Sequence, residues 1–249
     1  MRKEERQKII MREINLHNRV LCTDLSITLN VSDDTIRRDI TELADSGKIL
    51  KIHGGAMALS FVSPFNIKNE VYAYEAKKKI AGKALKIIKN DSMVLTEGGT
   101  TILELAKMIP KTLKATFFTI SPQVAITLSE FSNIEVITIG GRLMQNANLH
   151  VGSSMINQLS GLKVDLCLLG ANAFSIEEGL SDLDWEVVQA KKALIRSARK
   201  VAILTISEKL NTIQTLQICG IDEIDYLITE LPPENEFLDK YRETNLKLI

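Results

Sequence analysis

Residues 31–40 read VSDDTIRRDI, and their reading decides how the first part of the chain is organised. Ser32 is a strong helix N-cap, and Asp33 and Asp34 fall in the first turn, where carboxylates favour the positive end of the helix dipole. Ile36, Ile40 and Leu43 continue at the spacing of one buried helical stripe. Thr35, Arg37 and Arg38 then lie on or beside the exposed side of the first two turns. Alone, the ten residues fit a solvated surface helix as well as a functional one. Either arginine could also pair with Asp39 or Glu42 on the same helix. The neighbours decide between these readings.

Upstream, Arg2 to Ile14 places Ile9, Ile10 and Ile14 among charges, an amphipathic helix. HNRVL follows as a short link or strand, and Asp24 can cap a second helix, LSITLN, with Leu25 and Leu29 four apart. Asn30 and Val31 make a tight turn into the Ser32 helix. This is the helix-turn-helix arrangement, whose second member enters the major groove N-terminus first. Downstream, Lys48, Lys51 and His53 alternate with Ile49, Leu50 and Ile52 before Gly54-Gly55, a two-stranded wing with basic residues near its tip. Arg and Lys reach phosphates and guanine edges, and Ser and Thr contact backbone or base. The segment therefore reads as a binder of double-stranded DNA.

The totals set limits on that reading. Lys+Arg and Asp+Glu number 31 each, and the first 57 residues hold ten basic and nine acidic side chains, a net of +1. Contact with DNA must come from placement rather than bulk charge. Cys22, Cys167 and Cys219 are widely spaced with no CxxC pair, which argues against a disulfide framework or zinc site and fits a reducing compartment. MRKEERQKII lacks the apolar core of a signal peptide, and no apolar run approaches membrane-spanning length. A cytoplasmic protein with no cofactor, no metal and no membrane partner is expected.

VSDDTIRRDITEL followed by KIHGGA resembles the signature of DeoR-type bacterial transcription regulators, over roughly residues 3–57. In that family a winged helix-turn-helix carries a serine cap, a TIRRD or TVRRD core and an HGGA ending. The resemblance implies that Ser32, Thr35, Arg37 and Arg38 face DNA, with Lys51 and His53 on the wing side.

SFVSPFNIKN, residues 60–69, breaks the periodicity at Pro64, so residues 1–57 are expected as the DNA-binding domain, 58–69 as a linker and 70–249 as a second domain. A long helix over about Glu70–Ile88 opens the latter. Beyond it MVLT, ATFFTI, IEVITI, DLCLLG, KVAILT and IDYLIT alternate with helical runs, the pattern of a Rossmann-like, mostly parallel α/β sheet covered on both faces. Ligands of such sheets bind beyond the carboxyl ends of the strands. There, Glu97-Gly98-Gly99-Thr100-Thr101 links MVLT to TILELAKMI. Glycines allow close backbone approach, and a helix start with two hydroxyls suits a phosphate, although a plain strand-to-helix turn has the same composition. The spacing is neither GxGxxG nor a GK[ST] loop. Arg142, Lys191 and Lys209 are further candidate phosphate partners.

EGGTT, IGGRL, HVGSS, LGANAF…EEGLSD and the lysine of ISEKL resemble successive landmarks of the same family's effector domain, from about Lys77 to Glu230. That resemblance implies a fold similar to sugar-phosphate isomerases and the sensing of a phosphorylated sugar. The chain departs from the family at Glu97, commonly Asp, at Thr119-Ile120-Ser121, where TNS is usual, and at Ile206, often an acid. The family's helix acid is shifted to Glu186. The leading reading is a non-enzymatic regulator, a repressor acting as a homodimer or homotetramer. Its alternatives are a regulator with a degenerate pocket controlled by a protein partner, and an isomerase-like enzyme, for which only Glu97 stands inside a candidate loop as a general base.

Overall fold

A computed structural model describes residues 1–58, 71–145 and 147–249. The chain divides into two compact units, Met1–Tyr72 and Ala73–Ile249. Apart from Ala58, the expected linker lies outside the described residues, as does Glu70.

In the first unit, α1 (Lys3–His17), β1 (Arg19–Leu21), α2 (Cys22–Leu29), α3 (Asp33–Asp45), β2 (Ile49–Ile52) and β3 (Gly55–Ala58) follow in order. Helix α1 runs past Ile14 because Leu16 and His17 are also buried, and Asn18 ends it with a left-handed φ of 61°. Asp24 is not a cap. The extended strand β1 feeds straight into α2 at Leu21, which leaves Asp24 inside the first turn. Asn30, with φ 50°, closes α2 through bonds from its amide to the Ser26 and Ile27 carbonyls, and Ser32 then caps α3. The wing gains a third strand, since β1 pairs antiparallel with β3 in the order β1-β3-β2. That pairing needs a glycine at 55, because a Cβ there would collide with the Val20 carbonyl. Ile10, Ile14, Leu25, Ile36, Ile40, Leu43 and Ile49 form one core beneath the three helices and the sheet.

The second unit is built on β4 (Ser92–Thr96), β5 (Ala115–Thr119), β6 (Ile134–Thr138), β7 (Arg142–Met144), β8 (Leu149–Val151), β9 (Leu166–Gly170), β10 (Ala173–Ser175), β11 (Gly179–Asp182), β12 (Val201–Leu204), β13 (Leu216–Cys219), β14 (Tyr226–Ile228) and β15 (Lys247–Leu248). Seven strands form a sheet in the order β15-β14-β12-β9-β4-β5-β6, and every pairing in it is parallel. The apolar runs LCLLG and VAIL are buried almost end to end, as a sheet covered on both faces requires. The first helix, Tyr74–Leu85, is shorter than expected, because Ala73 adopts φ 53° and cannot extend it backward. The small antiparallel sheet β10-β11-β13 and the hairpin β7-β8 were not foreseen from sequence.

The order of the seven strands reverses between β4 and β9. From β4 the chain steps outward through β5 and β6, then returns to the other side of β4 as β9. Such a reversal splays the connecting loops apart at the carboxyl ends, where α/β sheets bind ligands. Glu97 leaves β4 at this seam, and Gly170 ends β9 beside it.

Candidate functional site

The start of α3 is assembled by its own side chains. The Thr35 amide donates to Ser32 Oγ at 3.3 Å, and the two hydroxyls lie 2.9 Å apart. Arg37 Nε and Nη2 both approach Asp33 Oδ2, each at 2.9 Å, while the arginine side chain stays 54% exposed. Arg38 is exposed and, among the described residues, makes no ion pair or hydrogen bond. Neither arginine turns to Asp39 or Glu42, the partners considered from sequence, because α1 occupies both. Asp39 is taken by Arg6 Nε and, at 3.2 Å, by Arg6 Nη2. Glu42 receives Lys3 at 2.6 Å and Gln7 at 3.0 Å. Lys51 donates from β2 to Thr41 Oγ1 at 2.9 Å, which sets the wing lysine beside the recognition helix. His53 is exposed in the turn that follows β2.

Arg6 was missed in the sequence. Its signal lay in Asp39, which shares the buried stripe of α3 with Ile36, Ile40 and Leu43. A carboxylate in an apolar stripe needs a partner.

In the second unit the seam between β4 and β9 gathers most of the expected effector residues. Glu97 is buried, and its Oε1 accepts the Gly170 amide at 2.6 Å. Lys191, on the helix Trp185–Arg196, donates to the Gly170 carbonyl at 2.9 Å. Its Nζ also lies 3.5 Å from Glu97 Oε2 and 3.6 Å from Asp182 Oδ2. Burial opposes the charge on Lys191, but Glu97 and Asp182 together hold it above its ordinary value. Burial raises the Glu97 carboxyl, against the pull of Lys191 and the Gly170 N–H. Lys209 follows β12 and donates to the Ala171 carbonyl at 2.9 Å. Burial, reinforced by the charges of Lys77 and Lys191, pushes Lys209 down to about 7. Asn172 links the same loop to Asp182 at 3.3 Å.

Gly98 and Gly99 do different work. A Cβ on Gly98 would lie 2.7 Å from Leu149 Cδ2 and 3.0 Å from Ser121 Oγ, so this glycine permits a close approach. Gly99 faces open space but adopts φ 86°, which side chains resist. It starts the helix Thr100–Lys107, whose N-terminus no side chain caps. Thr101 is buried in the first turn, and Thr100 is half-buried beside it.

Arg142 stands apart from the buried lysines. It begins the hairpin β7-β8, is 63% exposed and pairs with Glu186 at 3.1 Å. The loop before it is pinned by Gln158, whose side chain bonds both the amide and the carbonyl of Gly140. Lys77, not singled out from sequence, is buried on the stripe of Ile80, Ala81 and Ala84, and burial pushes it down to about 8 against the charge of Glu104. A lysine at that spacing was its signal. Ile120, where the family usually has Asn, is 1% exposed.

The model of the DeoR-like helix-turn-helix domain matches residues 6–61, and that of the DeoR C terminal sensor domain matches residues 72–231. The chain belongs to the DeoR family. As a DeoR-family member it is a helix-turn-helix, DNA-binding regulator of transcription. It is 32% identical to the HTH-type transcriptional regulator GolR of Listeria innocua, over 97% of this chain and 96% of that protein. It is 30% identical to the HTH-type transcriptional repressor GlcR of Bacillus subtilis, over 100% of this chain and 96% of the other. Among solved structures, ribose 5-phosphate isomerase A of Methanocaldococcus jannaschii aligns with a TM-score of 0.39 and 19% identity, over 54% of this chain and 53% of that one. Among the described residues of this DeoR-family chain, no helix is long and apolar enough to cross a membrane, and no group of three His, Cys, Asp or Glu side chains could hold a metal ion.

Proposed function

We propose that the protein is a repressor that binds a double-stranded operator as a homodimer or homotetramer and responds to a phosphorylated sugar. In this reading Ser32, Thr35, Arg37, Arg38, Lys51 and His53 form the DNA surface. Ser32 and Thr35 meet backbone or base, the two arginines meet phosphate or guanine, and Lys51 and His53 follow the backbone from the wing. The repressor assignment draws support from the name of GlcR.

The effector reading rests on one observation: two buried cations, Lys191 and Lys209, converge at the reversal of strand order around the loop Glu97-Gly98-Gly99. The uncapped helix start, with Thr100 and Thr101, accepts the phosphate, and the lysines balance its charge. Glu97 and Asp182 accept sugar hydroxyls, and Arg142 joins by exchanging Glu186 for the phosphate. Catalysis is disfavoured because Glu97, the carboxylate inside the candidate loop, is tied to the Gly170 amide and faces Lys191.

Thermal-shift measurements against a panel of sugar phosphates test this reading. A ligand at a hundred times its dissociation constant stabilises the fold by about 2.7 kcal/mol. If none shifts the melting temperature, control by a protein partner replaces effector sensing. Turnover of a sugar phosphate, abolished by Glu97→Gln, would establish the enzyme instead. Loss of operator affinity in Arg37→Ala and Arg38→Ala, with folding intact, tests the DNA surface.

A further inference from the structure

We infer that Asp33 is a positioning residue for sequence reading: it holds the Arg37 guanidinium so that the outer edge is presented to a guanine in the major groove. The inference rests on the DNA-binding reading above and adds a division of labour between the paired arginines.

The geometry is specific about which edge is used. Nε and Nη2 of Arg37 both approach Asp33 Oδ2, each at 2.9 Å, so the side edge of the guanidinium fork is occupied. The terminal edge, with one outward N–H from each end nitrogen, remains available. That edge matches O6 and N7 of guanine, the bidentate contact by which arginine most often reads a base. Among the described residues, Asp33 Oδ1 is buried without a hydrogen-bond partner, so Oδ2 is the oxygen that meets the arginine. Asp33 lies in the first turn of α3, and Arg37 lies one turn later on the same face. Holding the long side chain in one arrangement before binding removes part of the ordering entropy from the binding step.

Charge makes the arrangement informative. A carboxylate at the leading end of a recognition helix repels the phosphate backbone, and this unit has few cations to spare, with a net of +1 over its first 57 residues. An exposed i,i+4 ion pair adds little to stability. Removal of Asp33 would therefore strengthen binding to any duplex if charge alone mattered. Arg38 has no such partner among the described residues and is free to follow a phosphate.

The full chain and its Asp33→Ala, Asp33→Asn and Arg37→Ala variants are passed through selection from a randomised duplex pool. Affinity for unselected duplex is measured beside it at several salt concentrations. Wild type should select a G·C pair at one position of each half-site, and Arg37→Ala should lose that preference. Asp33→Ala should weaken the preference at the same position by about tenfold, leave other positions intact, and bind unselected duplex as well as wild type or better. Asp33→Asn, whose amide oxygen still accepts from Arg37, should keep most of the preference. A merely structural role would instead lower affinity for every sequence together. The inference is overturned if Asp33→Ala retains the wild-type preference, loses all positions equally, or if Arg37→Ala changes only the salt slope. A wild-type protein that selects no sequence at all would bring down the DNA-reading assignment itself, which separates the two failures.

Discussion

Glu97 and Gly170 meet across the seam where strand order reverses, the carboxylate accepting the amide at 2.6 Å while its other oxygen faces Lys191 at 3.5 Å. One side chain thus ties β4 to the end of β9 and supplies part of the counter-charge for a buried lysine. Glu97→Ala removes both, and breaking a buried ion pair from one side costs about 3–5 kcal/mol. Glu97→Gln keeps an acceptor for Gly170, and Asp182 still balances Lys191, so its loss should be well below that of Ala. Urea denaturation of the two variants gives the comparison, and equal losses would mean that the charge rather than the tie holds the seam.

The two glycines of the loop should respond differently to alanine. At Gly98 the methyl group meets Leu149 and Ser121, and forced overpacking typically costs about 1–3 kcal/mol. At Gly99 the space is open, so the penalty is backbone strain alone, about 1–3 kcal/mol for a residue held in a sparse φ/ψ region. Only the Gly98 penalty should be relieved by trimming its neighbour, as in a Gly98→Ala, Leu149→Ala double variant measured against its single variants.

Lys209 gives the protein a pH dependence with a definite sign. Its folded value, about 7, lies below the ordinary 10.5, so the unfolded chain holds this proton more tightly. The penalty is full below about pH 7 and is lifted as pH rises toward the ordinary lysine value. Lys209→Met should therefore stabilise the fold near pH 6, with the advantage fading toward pH 10, where the variant still lacks the bond to Ala171. An anionic ligand favours the charged lysine, so wild-type affinity for a sugar phosphate should fall as pH rises above about 7. Titration calorimetry across that range should show the decline in wild type and its absence in Lys209→Met.

Arg6 and Asp39 join α1 to α3 with side chains 12% and 3% exposed. Asp39→Ala leaves the guanidinium without its main partner. The loss should sit toward the lower end of about 3–5 kcal/mol, because Glu42 remains near and Arg6 keeps some contact with water. Asp39→Asn, which retains an acceptor, should lose less. Denaturation midpoints of the two variants decide, and a neutral Asp39→Ala would show that packing alone holds α3.

What the sequence disclosed was what neighbours in the chain impose on one another. The Ser32 cap, the stripe Ile36-Ile40-Leu43 and the apolar strand runs are local, and each stands where periodicity places it. The partner of Asp39 sits 33 residues away, and no local pattern links it to Arg6. AFS and GLSD are too short and too polar to announce β10 and β11. Arg142 read as a strand-end phosphate partner by position, but it opens a hairpin and faces Glu186. Lys191 and Lys209 were legible as cations beyond strands. Their burial, and the balance of Lys191 against two carboxylates, come from the helix Trp185–Arg196 and β11, whose docking is tertiary.

The Glu97–Gly170 bond closes a span of 73 residues. Pairing at such separation pays its loop-closure entropy before any contact rewards it, which slows the folding of parallel sheets. The buried charge cluster draws Glu97 from one side of that closure and Gly170, Asp182, Lys191 and Lys209 from the other. The later half holds the two lysines and Asp182 together, but lacks Glu97, the carboxylate that the earlier half supplies. During synthesis the full cluster is absent until the chain beyond Lys209 has emerged and the seam has zipped, whereas the described core of the first unit draws on residues 10–58. A nascent chain thus acquires its helix-turn-helix surface well before the buried charges at the seam of its second unit come together.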